Sequence, residues 1–145
     1  MRTAEEKKVG RFSVEIELAN YDDVVVAERG LLAPDKVRRL RIQGLVDSGA
    51  TRLVLPQKAA KTLGLRESGK VKVKYANGSR AERPQVKAVN LKLMGRESVF
   101  DATVEPKRDT ALIGAIVLEA LDFLVDCTNQ RLYPRDPESI LTEEE

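Results

Sequence analysis

Apolar and polar residues alternate along most of this 145-residue chain, and that period of two constrains the fold more than any other feature. A strand points successive side chains to opposite faces, so alternation marks a half-buried strand. Phe12, Val14, Ile16 and Leu18 alternate in this way. Leu40 and Ile42 do so again and lead through Gly44 into Leu45-Val46. Leu53-Val54-Leu55 is a short apolar run, and Val71, Val73 and Tyr75 alternate with Lys70, Lys72 and Lys74. The return strand holds Val86, Val89, Leu91 and Leu93, and its phase slips between Ala88 and Val89, which predicts a bulge. Phe100, Ala102 and Val104 form a further strand, and Ala111-Leu112-Ile113 a buried one.

The segments between these runs carry the punctuation of turns. Asn20-Tyr21-Asp22-Asp23 reads as a turn before the apolar run Val24–Val26, and residues 27–36 read as a loop containing Gly30 and Pro34. Pro56 suits the first position of a helix that Ala59, Ala60 and Leu63 continue and Gly64 ends. Ala76-Asn77-Gly78-Ser79 contains Asn-Gly, the strongest short hairpin signal. Ile116, Val117, Ala120 and Leu121 have helical spacing. Phe123-Leu124-Val125 and Arg131-Leu132-Tyr133 flank Cys127–Gln130 and read as a closing hairpin, its turn stabilised by Asp126. Many short strands with one or two short helices predict an all-β, barrel-like domain. Its expected extent is residues 9–134, between polar flexible tails at 1–8 and 135–145.

Composition removes whole classes of function. The chain has 25 basic and 23 acidic residues, a net charge of +2 that does not argue for nucleic acid. Aromatic residues are 4% of the chain, too few for base-stacking platforms. There is no His, which removes Ser-His-Asp catalysis and His-based zinc sites. The single Cys127 permits neither an intrachain disulfide nor a CxxC site, and it is expected to be small and partly buried. No segment approaches the roughly 20 apolar residues of a membrane span. The charged start Met1–Lys8 has no apolar run behind it, so no signal peptide is expected and the expected location is cytoplasmic. No cofactor or metal is expected, and neither nucleic acid nor membrane is an expected partner. Catalysis by such a chain falls to carboxylates, hydroxyls, Lys or backbone groups.

One run fits that restriction. Leu45-Val46-Asp47-Ser48-Gly49-Ala50-Thr51 carries a carboxylate out of a strand into a tight turn, and it occurs once. Two carboxylates at close range share one proton and can activate a water against a peptide bond. One run supplies one carboxylate, so that chemistry requires two copies of the chain. The same residues also make an ordinary turn after a strand.

The order of the parts resembles the retropepsin-like aspartic proteases, the single-domain relatives of pepsin. Asp47-Ser48-Gly49, the hairpin at Ala76-Asn77-Gly78-Ser79, and Leu112-Ile113-Gly114 before a short helix agree with that family from about Phe12 to Tyr133. The resemblance implies a closed, mainly antiparallel barrel of the acid-protease type. It also implies an aspartic endopeptidase acting on a peptide or protein substrate as a homodimer. Asp47 would be the catalytic residue, given once by each subunit. Ser48 would bond across the dimer beneath the dyad, Gly49 would hold the turn, and Ala50 and Thr51 would continue the loop. Ile113 and Gly114 would pack beside that loop, and Ala76, Asn77, Gly78 and Ser79 would form a flap over substrate. The hairpin around Leu132 and the N-terminal strand would contribute to the dimer.

The chain departs from the retroviral pattern in its hairpin, which continues polar and charged through Arg80-Ala81-Glu82-Arg83-Pro84. Arg80 and Arg83 would favour acidic substrates, or would simply face solvent. The segment Ala27–Arg41 is longer than a minimal enzyme needs. Two other readings follow from these departures: a catalytically silent dimeric binding or scaffold module with the same fold, and, more weakly, a small basic barrel that binds nucleic acid. Asp22-Asp23 reads as part of a turn, and Lys70, Lys72 and Lys74 as a solvated strand face that discourages edge pairing.

Overall fold

The computed structural model describes residues 11–144. Strand β1 (Arg11–Asn20) realises the first alternation, with Ile16 and Leu18 fully inside. It pairs antiparallel with β2 (Arg39–Asp47) from Arg11 opposite Asp47 to Ala19 opposite Arg39. After β3 (Leu53–Pro56) and a short helix come β4 (Arg66–Lys74), β5 (Arg80–Leu93), β6 (Arg96–Glu105) and β7 (Ala111–Ile113). The sheet runs β1-β2-β7-β3-β6-β5-β4, and β1 also pairs with β5. Six strands therefore close on themselves, and β4 extends outward from β5 as an edge. Most neighbours are antiparallel, but β2 with β7 and β3 with β6 run parallel. The barrel is filled by Val46, Leu53, Leu55, Val89, Leu91 and Ile113, the inward halves of the alternating runs. The expected bulge is present: the β5–β6 register shifts between Val86 and Val89, and Ala88 has φ 61°. A separate two-stranded sheet, β8 (Phe123–Asp126) with β9 (Arg131–Pro134), follows the last helix. The Asp126 carboxylate accepts from Asn129 N and Nδ2 at 3.1 and 2.8 Å, which closes that hairpin's turn.

Several local readings are corrected. Asn20–Val26 is not a turn and a strand; helix α1 spans Tyr21–Glu28. The Asn20 side chain accepts from Asp23 N at 3.0 Å as an N-cap, and Asp22 and Asp23 sit in the positive first turn. Capping and two ion pairs, Asp23 with Arg38 (2.8 Å) and Asp22 with Arg66 (2.7 Å), outweigh the weak helix preference of three consecutive valines. The loop begins only after Glu28 and contains a 3-10 turn at Pro34–Lys36. Pro56 ends β3 and caps helix α2 (Gln57–Leu63) instead of occupying its first turn. Helix α3 spans Ala115–Ala120. Cys127 is exposed, not partly buried.

The C-terminal segment, expected as a flexible tail, folds back along the domain. Leu141 N donates to the Asp122 carboxylate at 2.9 Å, Arg135 pairs with the same carboxylate at 2.8 Å, and the Arg96 guanidinium donates to the carbonyls of Asp136 and Ser139. The N-terminal residues 1–8 expected as a tail lie outside the described residues, as do 9 and 10. Among the described residues no helix is long and apolar enough to cross a membrane.

Candidate active site

Strand β2 ends at Asp47 because Val46, wholly buried, is the last side chain that points into the barrel. The chain then reverses: Ala50 N donates to Asp47 O at 3.0 Å, and Gly49 N donates to Asp47 Oδ1 at 3.0 Å. The carboxylate is thus held against its own loop. A Cβ on Gly49 would lie 3.2 Å from Asp47 Oδ1, tighter than an ordinary contact. The other carboxylate oxygen, Oδ2, receives Arg11 Nη2 at 2.9 Å; the Asp47 side chain is 14% exposed and that of Arg11 36%. Ser48 and Thr51 are exposed and Ala50 is half-buried.

The loop is fixed from below. Strand β7 enters between β2 and β3, with Val46 opposite Ile113 and Val54 opposite Leu112. Ile113 is buried, and Gly114 follows it directly under the loop. A Cβ on Gly114 would lie 2.5 Å from Arg52 O, 2.7 Å from Thr51 C and 2.8 Å from Ala50 O. These are backbone atoms, so any larger residue must displace the loop itself. The first residues of α3 then donate to it, Ala115 N to Ala50 O at 2.8 Å and Ile116 N to Thr51 O at 3.0 Å. Asp47–Thr51, Ile113 and Gly114 therefore form one packed unit.

The hairpin lies opposite. Tyr75 N donates to Ser79 O and Gly78 N to Tyr75 O, each at 2.8 Å, and Asn77 Oδ1 accepts from Ser79 N at 2.9 Å. Its base is tied to the end of β6: Tyr75 Oη donates to Glu105 Oε2 at 2.7 Å, and Arg83 Nε donates to Glu105 Oε1 at 2.8 Å. Burial, and then the bond to Glu105, push the Tyr75 hydroxyl above its ordinary pKa. Arg83, expected to face substrate or solvent, is consumed by this network.

Between loop and hairpin lies a cleft of about 600 Å³. Gly49–Arg52 form one wall and Lys72–Tyr75 another, with Val54, Leu112, Thr103, Glu105 and Arg108 between them. Of the expected site residues only Gly49, Ala50 and Thr51 line it. Asp47 sits behind them, Ser48 lies outside the lining, and the hairpin tip Ala76–Ser79 stands beyond the cleft. A smaller cavity of about 390 Å³, lined by Gln57, Lys61, Arg83 and Pro84 among others, is touched by none of them.

Sequence reasoning missed Arg11, Arg52, Arg108 and the Tyr75–Arg83–Glu105 network. Arg108 follows β6, and its Nε donates to Thr110 O at 2.9 Å. Burial lowers its pKa, while Glu105 and Asp47 oppose that shift. No local pattern marks these residues: Arg11 and the Tyr75–Arg83–Glu105 network acquire their neighbours through strand register, and Arg52 and Arg108 sit in loops that the fold brings to the cleft.

Residues 36–120 match the family described as "gag-polyprotein putative aspartyl protease". Among solved structures the chain is similar to "EIAV protease complexed with the inhibitor HBY-793", at 17% identity and a TM-score of 0.52, over 77% of this chain and 88% of that one. Identity that low speaks for the fold alone. None of the curated proteins matches the chain.

Proposed function

Since the chain belongs to the gag-polyprotein aspartyl protease family, we propose that it is an aspartic endopeptidase whose active site is completed by a second copy of itself. The observation that carries this reading is the setting of Asp47. A single carboxylate stands at the end of β2, bonded by Gly49 N, braced by β7 and Gly114, and set behind the wall of a cleft under a hairpin. The run that delivers it occurs once, so a dyad requires two chains about a two-fold axis.

In that dyad the two Asp47 carboxylates hold one proton between them. The ionised member takes a proton from a bound water as the water oxygen attacks the scissile carbonyl carbon. The protonated member hydrogen-bonds the carbonyl oxygen. Collapse of the tetrahedral intermediate breaks the C–N bond, and the leaving nitrogen takes a proton from the pair. Because one carboxyl must stay protonated, the activity optimum is acidic.

Arg11 bears on this scheme. In the single chain it holds Asp47 Oδ2, an oxygen the proposed dyad would need to share with its partner. With Arg11 reaching solvent at 36% exposure, the pair contributes on the order of 1 kcal/mol, which an incoming subunit could offset. The closing hairpin is the expected dimer contact. Leu132 itself is buried in its own chain, whereas Leu124 and Tyr133, opposite each other across the hairpin, stay 41% and 40% exposed and offer apolar surface to a partner.

The test is Asp47→Asn in a cleavage assay on unstructured peptides between pH 4 and 7. A loss of roughly 10²–10⁴-fold is expected, the usual contribution of acid–base catalysis, with the fold retained. The Arg11–Asp47 pair also favours a second reading, a silent binding module of the same fold. Cleavage that a statine-type inhibitor blocks excludes that module; cleavage that survives Asp47→Asn excludes the dyad.

A further inference from the structure

The outer face of the β4–β5 hairpin has a charge bias that the whole chain lacks. The chain is nearly balanced, with 25 basic and 23 acidic residues. Along β4, Val71, Val73 and Tyr75 are half-buried on the cleft side, whereas Lys70, Lys72 and Lys74 are exposed on the opposite face. Antiparallel pairing adds the β5 residues that share this face: Pro84 stands opposite Lys70, Glu82 opposite Lys72 and Arg80 opposite Lys74. Lys70, Lys72, Lys74 and Arg80 thus stand against Glu82 alone. Among the described residues, no ion pair uses any of these side chains. Lys74 and Arg80 meet as like charges across the ladder, a pairing that costs stability until an anion lies beside it. The same face runs into an apolar groove. Pro84 and Val86, two residues apart and so on one face, line the cavity of about 390 Å³ between the hairpin base and α2. Ala60, Leu65 and Val104 line it as well, and its Lys61 and Glu67 offset each other in charge.

We infer that this outer face is a docking surface for an acidic, extended protein segment, which seats one apolar side chain in the groove and lays alternate Asp or Glu side chains along Lys70, Lys72 and Lys74. Strand residues rise about 3.3 Å each, so the three lysines repeat every ~7 Å over roughly 13 Å, the spacing of alternate side chains in an extended peptide. A nucleic acid complements the face less well. Its unbroken row of phosphates meets Glu67 and Glu82, it brings no apolar side chain to the groove, and the nearest ring, Tyr75, is turned to the cleft. A protein segment can set neutral residues opposite those two acids. The surface lies on the far face of the hairpin from the Asp47 cleft, so the inference does not rest on the protease reading. Each exposed ion pair changes affinity by about two- to fivefold at low salt, so several together give on the order of tenfold. Salt screens a preference of this origin.

Three labelled ten-residue peptides test it. The first begins with Leu and continues with Glu alternating with Ser; the second has Gln for each Glu; the third has Ser for the Leu. Binding to the full chain carrying Asp47→Asn, which guards against cleavage, is read by fluorescence anisotropy at pH 7. At 50 mM salt the Glu peptide is expected to bind on the order of tenfold tighter than the Gln peptide and about threefold or more tighter than the Leu-free one. The Glu advantage should shrink at 500 mM salt and vanish when Lys70, Lys72 and Lys74 are all replaced by Gln, with circular dichroism confirming the fold. Arg52→Gln, which removes a cation from the cleft instead, should leave it intact. Equal binding of the Glu and Gln peptides, no binding, or no effect of the Leu overturns the inference. So does a Glu preference that survives the triple lysine substitution or is lost with Arg52→Gln. A ten-nucleotide single strand that binds tighter than the Glu peptide, and loses its binding with the three lysines, overturns it in favour of nucleic acid.

Discussion

The loop after Asp47 and the hairpin that faces it are held in opposite ways. The loop is fixed by backbone from neighbouring elements: β7 lies beneath it, Gly114 stands where a Cβ would strike the backbone of Ala50, Thr51 and Arg52, and two N–H groups of α3 donate to Ala50 and Thr51. The hairpin is built on its own β4–β5 ladder; beyond that ladder it is tied to the end of β6 by the side chains of Tyr75, Arg83 and Glu105, while Ala76–Ser79 are exposed. Backbone contacts cannot be exchanged by rotamer changes, whereas a side-chain network opens at the cost of a few hydrogen bonds. Under the proposed protease function, the loop would serve as a fixed carboxylate platform and the hairpin tip as the flap that closes over a peptide.

The sharpest way to break this contrast is to loosen the platform. Gly114→Val puts a branched side chain where even a Cβ meets backbone at 2.5 Å. A loss of about 2–4 kcal/mol of stability is expected, with activity lost alongside it, measured by urea denaturation. An unchanged midpoint would mean that the loop is not held as described.

Loosening the roof should cost less and act on binding first. Glu105→Gln leaves Arg83 without its ion pair, and about 1 kcal/mol of stability is expected to go, with KM rising more than kcat falls. Alkaline titration probes the same knot. Burial and the Glu105 bond raise the pKa of Tyr75 above the ordinary phenol value of about 10, so the contribution of the neutral hydroxyl is complete below that value. It is lost as pH rises through the higher folded value. Hydrogen exchange should therefore show the hairpin opening at alkaline pH while the Asp47 loop stays protected, and Tyr75→Phe should remove the pH dependence.

The smallest effect belongs to Arg11. Arg11→Met frees Asp47 Oδ2 and is expected to raise cleavage by up to about fivefold at enzyme concentrations near the dimer dissociation constant. Lowered activity would instead assign Arg11 to the assembled site.

The two regions also differ in how far they could be read from sequence. The Asp47 turn is local in character, with small residues where the backbone reverses; the approach of Gly114 to it is long-range, and only the family resemblance implied it. The Asn77-Gly78 turn is local as well. The Tyr75–Arg83–Glu105 knot and the Arg11 contact are not, because a strand reveals which faces it buries but not which side chain of another strand it meets. Helix α1 was obscured for a different reason. Its Asn20 cap is visible in the sequence, but Val24–Val26 have strand preference, and the ion pairs with Arg38 and Arg66 that favour the helix come from elsewhere in the chain. The folded-back segment 135–144 was equally hidden, since its anchors at Arg96 and Asp122 have no signature in a polar stretch.

The shared dyad is tested most directly by mixing wild-type and Asp47→Asn chains in equal amounts, under conditions of subunit exchange, and measuring peptide cleavage. If each active site needs one Asp47 from each of two chains, only wild-type pairs work, and the rate per total protein falls to about a quarter of the pure wild-type value. A fall to about half, in proportion to the wild-type chain alone, would contradict the account.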